Sequence, residues 1–169
     1  MTVERITDNN FNNSSLDSFD TKLHVIKEYR KENDKYKLLE NEHVIEWSLE
    51  EKRQAAEKLK STKYISFAAL QGGEVIGFLS FEKEPVDNRL IMDLFMVDAQ
   101  YRGQDVGRKL FEAAIDEASE LSADEIYISA NPAEDLIAFY EDMEACVTDN
   151  PIKEMSDKDP LNIQMVIKL

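Results

Sequence analysis

Hydrophobic positions change period several times along this chain. The strictest alternation comes last: Leu161, Ile163, Met165, Ile167 and Leu169 are separated by Asn162, Gln164, Val166 and Lys168. A period of two predicts a half-buried strand. Two further β-rich runs, residues 64–70 and 74–81, flank Gln71-Gly72-Gly73 and read as a hairpin. Leu90 to Val97 is a third such run, after a connection from Lys83 to Asn88 that contains Pro85. Glu125 to Ala130 is a short strand.

Helical spacing separates these runs. Val106, Leu110, Ala114 and Ala118 recur every four residues with Phe111, Ile115 and Leu121 beside them, so 106–121 reads as a helix with a wide apolar stripe. Ser48 and Glu51 form a capping box for a helix over 49–60, whose charges leave only a narrow face with Ala56 and Leu59 to bury. A further helix opens at Asn131-Pro132, with Asn131 as N-cap, Pro132 in the first turn and Glu134 completing a box-like start. Towards the N-terminus, residues 23–30 and 36–46 flank a charged turn, Lys31 to Lys35, and read as two antiparallel strands. Asn9 to Asp20, rich in Asn and Ser, reads as a loop or short helix.

A run of strands followed by strand–helix–strand–helix–strand predicts an α/β chain with an α+β mixed sheet. The 90–130 unit is a βαβ crossover and so supplies a parallel pair. A partly parallel central sheet flanked by helices, in one domain spanning 1–169, is the expected architecture.

Composition narrows the partners. Twenty Lys and Arg against 35 Asp and Glu give a net charge of −15. Such a surface repels nucleic-acid phosphates and anionic membranes and attracts cations. Cys146 is the single cysteine, so no internal disulfide forms, and the polar N-terminus lacks the look of a secretory signal. No apolar run approaches the ~18 residues that span a bilayer. A cytoplasmic protein is expected.

Chemistry concentrates between Val97 and Leu110, where a strand ends, a loop with Gly103 and Gly107 follows, and a helix begins. Free N–H groups at a helix start suit a phosphate, and Arg102 and Arg108 add positive charge. The same residues also suit a plain glycine turn into a helix capped by Asp105. Neither the Walker spacing nor G-x-G-x-x-G is present.

Tyr101-Arg102-Gly103-Gln104-Asp105-Val106-Gly107 resembles the signature of the GNAT superfamily of acetyl-CoA-dependent N-acetyltransferases, Tyr-Arg-Gly-x-Gly-Ile-Gly, differing where Asp105 stands for glycine. Asn131 followed by Phe139-Tyr140 resembles the family's Asn…Phe-Tyr block. Together the two blocks cover about residues 64–146. The resemblance implies a GNAT-like fold that binds acetyl-CoA. The pyrophosphate would be held by Arg102, Gly103, Gln104, Asp105, Val106, Gly107 and Arg108. Phe95, Met96 and Val97 would pair with the pantetheine arm, which Asn131 would also contact. Tyr140 would protonate the departing thiolate, a role suited to a phenol within hydrogen-bond reach. Asp105 either turns outward or caps the helix itself and competes with the phosphate. Glu144 stands where the family has glycine after the Phe-Tyr helix.

A base is not fixed by the resemblance. By strict alternation Asp93 shares a face with Ile91, Phe95 and Val97, and a carboxylate among apolar neighbours suits that role, although a wet groove position without catalytic part is the plainer reading of the same residue. Glu46 is a weaker rival. Cys146 has no evident His partner, and His24 and His43 lack metal-ligand spacing, so no metal site is expected. The implied activity is acetyl transfer to a primary amine of a small-molecule or peptide acceptor, cationic in view of the net charge. A monomer or homodimer, with no nucleic-acid or membrane partner, is expected. The competing expectation is a non-catalytic GNAT-like module whose CoA binding Asp105 has weakened.

Overall fold

In the computed structural model, which describes residues 1–169, the alternating runs join one seven-stranded sheet. Its spatial order is β1 (Thr2–Arg5), β4 (Tyr64–Gln71), β5 (Glu74–Glu82), β6 (Arg89–Val97), β7 (Glu125–Ala130), β9 (Ile163–Lys168) and β8 (Cys146–Val147). Every pairing is antiparallel except β6 with β7, the pair that the crossover pattern predicts. β2 (Leu23–Glu32) and β3 (Lys35–Ile45) form a separate two-stranded ribbon. Its turn is tighter than the charged segment 31–35 suggested. Asn33 and Asp34, at φ of 49° and 61°, make the reversal alone, as two consecutive left-handed residues can.

Helices cover both faces. α2 (Val106–Ser119) and α3 (Glu134–Asp142) cover one with a core of 23 buried residues, among them Phe67, Phe81, Leu110, Phe111 and Ile128. α2 reaches the sheet closely because Gly77 of β5 lacks a side chain: a Cβ there would lie 2.9 Å from Leu110 and Val106. α1 (Leu49–Lys60) covers the other face, and its capping box forms as expected, Ser48 accepting from Glu51 N–H and Glu51 accepting from Ser48 N–H. The Asn- and Ser-rich loop is a chain of turns. It contributes Phe11, Leu16 and Phe19 to the α1 core, which the polar composition of 9–20 had hidden.

Two expectations are corrected. β9 is buried on both faces rather than one, because the short α4 (Lys153–Lys158) and its flank lay Ile152 and Met155 over Val166, Tyr127 and Ile91. α3 starts at Glu134 with Ala133 in the N-cap position and no side-chain cap. Asn131 instead accepts from Ala133 N–H, and the Pro132 carbonyl accepts from Tyr29 N–H of the ribbon. No helix is long and apolar enough to cross a membrane.

Candidate active site

Strands β6 and β7 hydrogen-bond only at Arg89–Ile91 against Glu125–Tyr127. Farther along, β7 stays with β9 as far as Ala130 and β6 stays with β5 as far as Val97, so the two parallel strands diverge. Side chains of β6 change from buried, Arg89–Met92, to half-buried, Asp93–Val97, where the partner leaves. An open strand edge inside a sheet offers donors and acceptors to an extended ligand.

A bulge assigns the faces of β6. Pairing shifts between Ser80↔Leu94 and Phe81↔Met92, leaving Asp93 outside the register. Leu90, Met92, Phe95 and Val97 belong to the α2/α3 side, and Leu94 and Met96 to the α1 side. Asp93 also turns towards α1 and accepts a 2.9 Å hydrogen bond from Lys58 Nζ. The expectation that Asp93 shares a face with Phe95 and Val97 is therefore corrected, because one extra residue restarts the alternation. Its second oxygen, Oδ2, is buried without a partner, as are the hydroxyls of the cross-strand neighbours Ser66 and Ser80.

After β6 the chain makes a single 3₁₀ turn, Ala99–Tyr101. Asp98, which the sequence reading passed over, organises this turn from a buried position. It accepts from Gln100 N–H and from Asp20 N–H, joining the loop to the segment that leads into β2. Arg102 adds a second tie: its guanidinium donates to the carbonyls of Val97 and Lys22. Desolvation lowers its pKa from the ordinary arginine value, outweighing Asp20 and Asp98. The Arg102 side chain thus clamps the loop rather than projecting from it.

No intramolecular hydrogen bond engages the backbone N–H groups from Arg102 to Arg108; the first helical bond runs from Lys109 N–H to the Asp105 carbonyl. Gly103 takes φ of 74° with open space where a Cβ would be. Asp105 takes φ of 61°, makes no capping bond, and is 76% exposed at its side chain, with Arg108 4.0 Å away. Of the two expectations for Asp105, outward orientation is the observed one. Gly107 is buried, and its lack of a side chain serves packing: a Cβ would meet Phe139 at 3.0 Å and Phe95 at 3.1 Å. Val106 is buried beside it, whereas Gln104 is exposed and donates through Nε2 to the Gln100 carbonyl.

Tyr140 lies at the α3 side of the divergence. Its ring meets Phe95 at 6.1 Å, Phe111 at 6.1 Å and Phe139 at 5.7 Å, and Phe95 stacks on Phe139 at 5.2 Å. Burial alone pushes the phenol well above its ordinary pKa. Asn131 follows the last residue of β7, its carboxamide oxygen engaged by Ala133 N–H. The remaining candidates lie elsewhere: Cys146 is exposed on edge strand β8, His24 pairs with Glu42, His43 meets the Asn41 carbonyl, and Glu46 is exposed beyond the ribbon. Glu28, unremarked in the sequence, is a buried carboxylate of β2, paired with Arg30 and bridged through its backbone to Ala133.

A family model described as the acetyltransferase (GNAT) family matches residues 25–144. No curated protein matches this sequence. Among solved structures, a Bacillus anthracis str. Ames protein assigned as a streptothricin acetyltransferase, in complex with acetyl coenzyme A, superposes with a TM-score of 0.75 at 18% identity, covering 99% of this chain and 98% of its own. A nourseothricin acetyltransferase superposes with a TM-score of 0.75 at 14% identity, over 99% and 97% of the two chains. The ribosomal-protein-S18-alanine N-acetyltransferase of Escherichia coli gives 0.62 at 16% identity, over 99% and 92%. At these identities the likeness is one of fold.

Proposed function

Because the chain belongs to the GNAT acetyltransferase family, we propose that it is an N-acetyltransferase transferring the acetyl group of acetyl-CoA to a primary amine of a cationic small molecule or peptide. One observation carries this reading: an uninterrupted series of unengaged N–H groups, Arg102 to Arg108, lies at the mouth of the β6/β7 divergence. Such an arc at a helix start fits a pyrophosphate, and Asp105 leaves it clear. The open edge at Phe95, Met96 and Val97, with Asn131 across the gap, fits an extended arm bearing amides.

Acetyl-CoA, when bound, supplies the activated thioester. Open-side N–H groups of β6 polarise its carbonyl, holding charge that develops as the amine attacks. Tyr140 and Asp93 then stand on opposite faces of the sheet, divided by the gap. Asp93, half-buried and held by Lys58 through Oδ1, takes the proton of the incoming amine through an intervening water. Tyr140 remains protonated at neutral pH and donates to the departing sulfur. Acceptor and thioester thus approach from opposite sides and meet in the gap, where both are oriented before reaction. Residues 1–169 form a single GNAT-like domain, acting as a cytoplasmic monomer or homodimer.

Isothermal titration tests the reading. Acetyl-CoA and desulfo-CoA bind at micromolar concentration and ATP does not; silence for acetyl-CoA at millimolar concentration overturns it. The non-catalytic alternative depended on Asp105 occupying the N–H groups, and its side chain makes no such bond.

A further inference from the structure

The β2–β3 ribbon is held to the rest of the molecule along β2, where Glu28 bridges Ala133 and Tyr29 N–H donates to the Pro132 carbonyl. The other edge, that of β3, pairs with no strand, since the ribbon is a sheet of two. Every residue from Lys35 to Glu42 is exposed. An edge of this length presents outward N–H and C=O groups that a further strand can take up.

Apolar surface collects on the same ribbon. Five of the eleven exposed large hydrophobic residues lie there: Ile26, Tyr36, Leu38, Leu39 and Val44. Scattered singly such residues need no partner, but four of the five share the unpaired strand β3, and covering them is favourable.

Charge selects what covers them. Segment 23–45 holds five Lys and Arg against five Asp and Glu and is neutral, whereas the rest of the chain carries the whole of the −15. Two copies meeting through their acidic surfaces repel each other; through the ribbon they do not. The charges of β3 are also ordered, with Lys35 and Lys37 before Leu38 and Leu39, and Glu40 and Glu42 after them. An antiparallel strand of the same sequence sets each basic end against an acidic end, with the leucines at the centre. Lysines on an edge ordinarily discourage pairing, but here the incoming strand brings the carboxylates that neutralise them. A second copy supplies this order by symmetry.

We infer that the protein forms a two-fold homodimer in which the β3 edges of two copies pair antiparallel about an axis near Leu38, joining the ribbons into one four-stranded sheet. The contact lies on the side of the ribbon turned away from Ala133. The inference stands apart from the acetyltransferase reading, which needs only one chain.

Sedimentation equilibrium of the full chain tests it. Edges of this length make a smaller contact than those of permanent dimers, so the mass rises from one chain to two between about 1 and 100 µM. K35E/K37E leaves an acidic edge and E40K/E42K a basic one. Each variant alone keeps the mass of one chain over that range, and an equimolar mixture of the two recovers the mass of a dimer. The ion pairs they break, Lys37 with Glu32 and Glu42 with His24, are exposed, so the fold tolerates their loss. Hydrogen exchange reads the interface without any substitution: wild-type amides within 35–42 slow about threefold or more from the lowest to the highest concentration. A wild type that keeps the mass of one chain overturns the interface. So do charge variants that associate as well as the wild type, a mixture that does not associate, or slowed exchange confined to another segment.

Discussion

Asp105 and Glu144 hold the same left-handed backbone conformation, at φ of 61° and 66°, in the two places where the GNAT pattern has glycine. The first lets the chain turn into α2, and the second closes α3, where Glu144 N–H donates to Glu141 and Ala145 N–H to Tyr140. The chain has replaced the glycines while keeping the conformation that glycine adopts most readily. These departures are therefore changes of side chain on a preserved backbone path.

Asp105→Gly follows directly. The carboxylate is exposed and makes no capping bond, so its removal frees no N–H group. What remains is the relief of one screened negative charge near the phosphate site, worth about 0.5 kcal/mol at physiological ionic strength. Acetyl-CoA affinity measured by calorimetry rises by no more than about threefold. A gain of tenfold or more would require the capping that the structure lacks.

Glu144→Gly acts on stability. A left-handed non-glycine residue costs roughly 1–2 kcal/mol, and the greater freedom of glycine in the unfolded chain returns about half of that. The variant gains about 0.5–1 kcal/mol, raising Tm by about 1–4 °C in a chain of this size. Thermal unfolding by circular dichroism checks it; a lower Tm would mean that the Glu144 side chain holds the helix exit by a contact of its own.

Tyr140→Phe removes the hydroxyl and retains the ring among Phe95, Phe111 and Phe139. If the phenol serves the leaving sulfur, kcat falls about a hundredfold or more while acetyl-CoA binding is retained. The pH profile has a defined sign. Burial raises the folded-state pKa above the ordinary phenol value near 10, so Tyr140 keeps its proton and imposes no alkaline fall in kcat below that pH. The unfolded chain ionises first, so wild-type stability declines above about pH 10 and Tyr140→Phe declines less steeply. Equal slopes would show that the phenol is not shielded.

Much of this site was readable as pattern. The four-residue spacing of α2 reflects one-sided burial, which local sequence reports well, and the hairpin was legible from its Gly72-Gly73 turn. The alternation of 161–169, by contrast, announced the strand but not the burial of its second face. Asp93 escaped because a bulge is a tertiary event: nothing in Leu90–Val97 announces that the partner strand shifts register between Ser80 and Phe81. Arg102 was legible as a cation beside the loop, but its donation to Val97 and Lys22 depends on a segment 80 positions away. Glu28 had no signal for the same reason. Its burial comes from Ala133 and the turn before β9, far along the chain. Phe11, Leu16 and Phe19 carried a weak one: three large apolar residues in an otherwise polar loop have to be buried somewhere.

The pairing of Asp93 with Lys58 allows the base to be separated from mere structure. Lys58 loses some of its preference for the charged form to desolvation, but the hydrogen bond and charge of Asp93, with Tyr64, outweigh it and raise its pKa. The raised value means that the pair contributes its full stability below the ordinary lysine value near 10.5 and loses it as pH climbs through the folded-state value. Lys58→Met leaves the carboxylate in place, only 15% exposed and without its donor, and destabilises the fold by about 1–2 kcal/mol at neutral pH, since Lys58 itself is partly solvated. That loss shrinks towards zero as pH rises beyond the lysine pKa. Asp93→Asn keeps the shape and removes the proton acceptor. If Asp93 takes the amine proton, this variant loses about a hundredfold or more in kcat, whereas Lys58→Met, which retains the carboxylate, loses far less. Equal losses in kcat from the two variants would make Asp93 a positioning residue for α1, and the amine would then give its proton to water in the gap.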